Sequence, residues 1–125
     1  MTEQSKKLKT EEVENRLIEF ASRIIDLVEA LPKRAAAKHL GNQLLHSGTS
    51  PAINYGEAQS AESRDDFIHK IRICLKELRE TYVCLRLIAK KDWFKDGKLE
   101  PLLIENNELI SIFVATTKTA SSRKN

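Results

Sequence analysis

Apolar residues recur at spacings of three and four along most of this chain, and that periodicity places them on one face only if the backbone is helical. Val13, Leu17, Phe20, Ile24, Leu27 and Leu31 form one stripe, and Ile18, Ala21, Ile25 and Val28 form a second beside it. Pro32 lacks the N–H needed to continue the ladder and restricts the residue before it, so the first helix is predicted to end near Leu31. Its start is predicted at Thr10, whose hydroxyl can cap free N–H groups, with Glu11 and Glu12 at the positive end of the helix dipole. Four glycines and three prolines in 125 residues leave little turn material for a sheet. The fold class is therefore all-α.

A second helix is predicted from about Lys33 to Ala58, with a kink near Ser47 to Pro51 because Gly48 and Pro51 both disfavour helix. On it, Gly41, Leu45, Gly48, Ala52 and Gly56 put small residues on one face, where a neighbouring backbone can approach closely. Ser47, Ser50, Asn54 and Glu57 line another face as short polar groups, suited to satisfying backbone atoms that a kink frees. Ser60 to Ser63 can cap a third helix, and Ser63 with Asp66 three residues on resembles a capping box. Its core stripe is read as Phe67, Ile71, Leu75, Leu78, Tyr82, Leu85 and Ala89. Asp96-Gly97 signals a turn, and Pro101 suits the first turn of a fourth helix carrying Leu102, Leu103, Leu109, Ile110 and Phe113.

Three short connections between four long helices dictate an antiparallel up-down-up-down four-helix bundle over residues 10–117, with flexible segments at 1–9 and 118–125. Several helices are apolar over more than one stripe. One bundle core cannot use all of that surface, so a subunit interface is the expected second destination.

No run approaches the roughly 18 consecutive apolar residues of a membrane span, and the first nine residues are polar and charged, unlike a secretory signal. A cytoplasmic protein without membrane contact is expected. Cys74 and Cys84 lie ten positions apart on one helix, about 15 Å along its axis, beyond disulfide reach of each other, and read as small core or interface residues. Asp66-x-x-His69 has the spacing of a carboxylate–histidine unit of di-iron bundles, but no second unit exists, and a capping Asp66 beside an ordinary His69 is the stronger reading. His39 and His46 are about 10 Å apart along their helix, too far to chelate one ion. No nucleophile elbow, phosphate-binding loop or dinucleotide fingerprint is present. The expectation is a non-enzyme without metal or cofactor.

The most specific positional signal is basic. Arg72, Lys76, Arg79, Arg86 and Lys90 follow spacings of four, three, seven and four, so all five share a narrow arc of the third helix, interrupted only by Val83. For one chain, the plainer reading is a solvated face whose arginines pair with Glu77, Glu80 or acids of the next helix. A formal net charge of +3 is too small to decide otherwise, but repetition around an oligomer would add several seams into one positive field.

The runs Ser47-Gly48-Thr49-Ser50, Asn54, Glu57-Ala58-Gln59, Ala61-Glu62-Ser63, Asp66-Phe67-Ile68-His69-Lys70, Leu75-Lys76-Glu77 and Glu80-Thr81 closely resemble the 23S ribosomal RNA intervening-sequence protein family. The stretch from Glu108 to Phe113 and on through Lys118-Thr119 resembles that family's ending. Pro51 and Gly56 stand where residues kinder to a helix are expected, and Tyr55 replaces the more usual aliphatic. The resemblance implies a four-helix bundle forming a ring-like homopentamer, encoded in some bacteria within insertions in ribosomal RNA genes. Related bundles serve reverse transcriptases of diversity-generating retroelements as accessory proteins, where a basic pentamer engages nucleic acid and the polymerase. No catalytic residue is implied. Two functional expectations follow: a homo-oligomeric scaffold binding RNA or DNA non-specifically through Arg72, Lys76, Arg79, Arg86 and Lys90, or a module docking a polymerase-type protein on its apolar excess and its Trp93-Phe94 loop.

Overall fold

In the computed structural model, which describes residues 2–122, the first helix starts earlier than Thr10. Helix α1 spans Glu3–Glu29, capped by Thr2, whose hydroxyl accepts a hydrogen bond from the Ser5 N–H at 3.0 Å. Thr2-Glu3 is the same kind of start signal as Thr10-Glu11, and no helix breaker lies between them, so the helix propagates from the earlier one. The Thr10 hydroxyl instead donates to the Lys6 carbonyl one turn back.

Helix α2 covers Ala35–Ala58 and continues unbroken through Pro51, which is buried. A proline inside a helix costs about 3 kcal/mol or more, and burial against α3 offsets it here. Helix α3, Arg64–Ala89, starts as its sequence signals: Ser63 Oγ accepts from the Asp66 N–H at 3.0 Å, and Asp66 accepts from the Glu62 N–H at 3.4 Å. Gly97 turns the chain with a φ of 81°, in the left-handed region glycine tolerates. Helix α4 then runs Glu100–Ser122, so Lys118 is helical, while Arg123 and Lys124 lie outside the described residues.

The helices pack in chain order, α1 on α2, α2 on α3 and α3 on α4, with a smaller contact between α1 and α4. Contacts between α2 and α3 run in opposite chain order: Leu40 meets Cys84, Ser47 meets Thr81, Pro51 meets Cys74 and Glu57 meets Lys70. The same holds for α1 and α2, where Gly41 faces Val28 and Leu31, Gly48 faces Ile24 and Gly56 faces Glu14. The small-residue face of α2 is thus where α1 approaches, although Leu45 on its margin stays exposed.

Leu17, Phe20, Ile24, Leu44, Ile71, Leu78, Leu85, Leu109 and Phe113 form a fully buried centre. Tyr55 of α2 meets Phe113 of α4 edge to face across it, with ring centroids 5.5 Å apart. Arg16 ties α1 to α4 by a two-pronged contact with Glu105, at 2.6 and 3.1 Å, and reaches Glu108 at 3.2 Å. Such planar bidentate pairing is the strong form of a carboxylate ion pair, and it raises the Arg16 pKa above its ordinary value, chiefly through the Glu105 hydrogen bond.

The buried face of α3 is not quite the one its aliphatic residues suggest. Ile71, Cys74, Leu78, Thr81, Leu85 and Ile88 are buried, whereas Phe67, Leu75 and Tyr82 are half-buried and Ala89 is exposed. Cysteine and threonine occupy core positions, which rotates the helix toward α2. On α1 the second stripe splits, with Ala21 buried and Ile18 and Ile25 exposed at 54% and 41%.

Candidate nucleic-acid interface

All five seam residues, Arg72, Lys76, Arg79, Arg86 and Lys90, are exposed. Their arc lies opposite the buried face of α3, because residues ten or eleven positions apart return to the same side of a 3.6-residue helix. Among the described residues none of the five makes an ion pair within 4 Å, so the expected pairing with Glu77 or Glu80 does not occur. The reason for Glu77 is geometric: it points the other way, into the α2–α3 contact, and is only 7% exposed. Arg86 stacks over the Tyr82 ring, 5.8 Å from its centroid.

The structure divides the seam into two parts. Arg72, Lys76 and Arg79 line an open groove of about 1120 Å³ between α2 and α3, together with Leu40, Leu75, Val83 and Leu87. Arg86 and Lys90 stand beyond that groove, toward the end of the bundle where α2 begins and α4 begins. Because the start of α2 lies beside the end of α3, this end also gathers Lys33, Arg34, Lys38, Lys91, Lys95 and Lys98, all exposed. Reading each helix separately misses those six residues. Their signal is present as lysine-rich segments flanking two turns, but only the pairing of α2 with α3 brings them together.

Below the groove, Ser47 accepts a 2.9 Å hydrogen bond from the Thr81 hydroxyl, which is fully buried. Asn54 donates to Ser50, and Glu57 pairs with Lys70 at 2.8 Å. The polar stripe of α2 is therefore consumed in local and α2–α3 contacts. Glu77 Oε2 has no hydrogen-bond partner, and the exposed His46 imidazole Nε2 lies 3.9 Å from it. Loss of water raises the Glu77 pKa above the ordinary range, with Glu80 adding to the rise while His46 and Lys76 oppose it.

A carboxyl group whose pKa the fold raises binds more protons in the native than in the unfolded chain between the two values, so its contribution to stability falls as pH rises. That loss begins near the ordinary glutamate pKa of about 4.3 and ends once the folded group has ionised. Glu77→Gln should therefore be more stable than the parent at neutral pH, with the difference vanishing toward pH 4. Urea unfolding across that interval tests it, and a difference independent of pH would mean the carboxyl is not responsible.

Burial also raises the thiols, Cys74 to about 12 and Cys84 in the same direction. Each donates weakly to a carbonyl of α2, Cys74 to Pro51 and Cys84 to Leu40, and as protonated, enclosed thiols they are poor nucleophiles. Asp66 is used as a cap, His69 and His39 are exposed, and no group of three or more His, Cys, Asp or Glu side chains comes together among the described residues. No helix among those residues is long and apolar enough to cross a membrane. Trp93 and Phe94 are half-buried against the core rather than presented outward.

Among curated proteins none matches the chain. A solved structure described as a protein with unknown function from the S23 ribosomal protein family of Bacteroides thetaiotaomicron VPI-5482 is 33% identical, with a TM-score of 0.79, over 85% of this chain and 98% of that one. The family described as 23S rRNA-intervening sequence protein matches residues 9–115. With the family signature spanning all four helices and a related structure of the same fold, this chain belongs to the 23S rRNA-intervening sequence protein family.

Proposed function

We propose that the protein is a non-enzymatic, cytoplasmic, homo-oligomeric scaffold, an antiparallel up-down-up-down bundle that binds RNA or DNA through phosphate contacts. The observation that carries this reading is the row from Arg86 and Lys90 onto the lysine-rich end of the bundle: these cations are exposed and free of ion pairs among the described residues. Unpaired cations on a repeated surface attract phosphates and carry no base information, so binding should be insensitive to sequence. Opposed contact orders between neighbouring helices support the antiparallel topology. Exposed Ile18, Ile25, Val83 and Leu87 support assembly, and the family resemblance supplies five as the number of copies. Docking of a polymerase-type protein on the Trp93-Phe94 loop is less favoured, because both rings are already engaged with the core.

The test is a double variant, Arg86→Gln with Lys90→Gln, titrated with labelled RNA and with an unrelated DNA over a range of salt. Affinity should fall about equally for both, and the slope of log affinity against log salt should flatten by roughly 0.7 to 0.9 for each phosphate no longer neutralised. Folding should change little, since neither side chain is buried or ion-paired. No binding by the parent protein at low ionic strength would overturn the reading.

A further inference from the structure

We propose that copies of this chain assemble head to tail, the outer face of α1 in one copy seating in the α2–α3 groove of the next. The groove offers apolar Leu40, Leu75, Val83 and Leu87, bordered by Arg72, Lys76 and Arg79, which outnumber its one acid, Glu80. Val83 and Leu87 are 55% and 51% exposed, an apolar surface that a single chain leaves in water beside three unpaired cations.

The outer face of α1 is its complement in both respects. Ile18 and Ile25 stand one heptad apart, with Glu11 and Glu29 above and below them along the helix and Asp26 and Glu19 to one side, all exposed. At about 100° per residue these six side chains share an arc of about 120°. The arc faces away from the bundle, because α1 meets α2 through Ile24, Val28 and Leu31 and meets α4 through Arg16. Acids flanking two isoleucines on one surface thus match cations bordering four aliphatic residues on another.

The two surfaces lie on different sides of the molecule and cannot cover each other within one chain. A second copy brings the matching face, and a contact between unlike surfaces repeats until a ring closes. Every copy then uses both faces once. The inference rests on the proposed assembly and assigns its interface: Arg72, Lys76 and Arg79 serve subunit contact, leaving Arg86, Lys90 and the lysine-rich end to phosphates.

Charge reversal tests it by light scattering. Lys76→Glu with Arg79→Glu reverses the groove, and Glu19→Lys with Asp26→Lys reverses the α1 face. All four side chains are exposed, so circular dichroism should show both double variants folded. Each should shift from the assembled mass toward the single-chain 14.2 kDa, and the quadruple variant, with both faces reversed, should recover the parent's assembled mass. Double variants that assemble like the parent, or a quadruple variant that stays dissociated, would overturn this interface while leaving the oligomer intact. A parent protein of single-chain mass throughout a dilution series would overturn the assembly reading and the interface with it.

Discussion

Gly48→Leu is expected to abolish cooperative folding or to lower the melting temperature by many degrees. A Cβ built at Gly48 would lie 2.8 Å from Ile24 Cγ2, 2.9 Å from its Cγ1 and 3.2 Å from its Cβ. Those atoms belong to a fully buried, β-branched side chain whose χ1 is held in one well on a helix, so it cannot swing aside. Even alanine there requires the α1 backbone to move, and leucine adds three further carbons. Overpacking of this kind costs typically 1–3 kcal/mol and at times more, against a total stability of about 5–15 kcal/mol for a domain.

The neighbouring glycines supply controls within the same helix. At Gly41 the close atom is the Leu31 Cδ1 at 2.9 Å, the end of a flexible side chain, and at Gly56 it is a Glu14 carboxylate oxygen at an ordinary 3.6 Å. Gly56→Ala should therefore stabilise slightly, by up to about 1 kcal/mol, because alanine loses less backbone freedom in a helix. Thermal melting should rank Gly56→Ala highest and Gly48→Leu lowest. A Gly48→Leu protein melting with the parent would refute the close approach of α1 and α2 at this level. The consequence reaches function, since displacing α1 also displaces the Ile18 and Ile25 face assigned to subunit contact.

The second large effect is expected from Phe113→Ala. Phe113 is fully buried and meets Tyr55 edge to face, joining α4 to α2 across the core. Truncation removes the transfer energy of the ring and leaves a cavity among atoms that relax only partly, a combined loss of about 3–5 kcal/mol. Urea unfolding should show a lowered midpoint with an unchanged slope, the sign of reduced stability without altered compactness. A loss below about 1 kcal/mol would mean that the core is not centred on this pair of rings. Phe113→Leu should retain much of the stability, because it keeps the site apolar and leaves a smaller void.

Features built from residues three or four apart are readable directly. The end of α1 before Pro32, the Ser63 cap with Asp66, the turn at Gly97 and the close-approach face at Gly48 all follow from such local spacings. The family signature lies in the same segments. Thr10 misleads because a second Thr-Glu pair stands upstream with nothing between them to stop a helix, whereas the helix expected through Pro51 to Ala58 is the one that forms. Cys74 and Cys84 are buried, as free cysteines usually are, but Thr81 and Ser47 are not recognisable as core or near-core positions, since each is polar and becomes buried only with its partner across the α2–α3 contact.

The seam shows where sequence ends and tertiary structure begins. That Arg72, Lys76, Arg79, Arg86 and Lys90 share one face of α3 is a property of the helical repeat, determined by the chain alone. That three of them border a groove with Leu40 of α2, while two join lysines from distant turns, depends on how α2 lies against α3. Helices, caps and stripes were determined by the sequence because their interactions span a single turn. The groove, the basic end and the uncovered face of α1 were decided only by the tertiary structure, because contacts between residues some 35 to 90 positions apart, such as Ser47 with Thr81 or Arg16 with Glu105, determine which side of each helix meets its neighbour and which remains exposed.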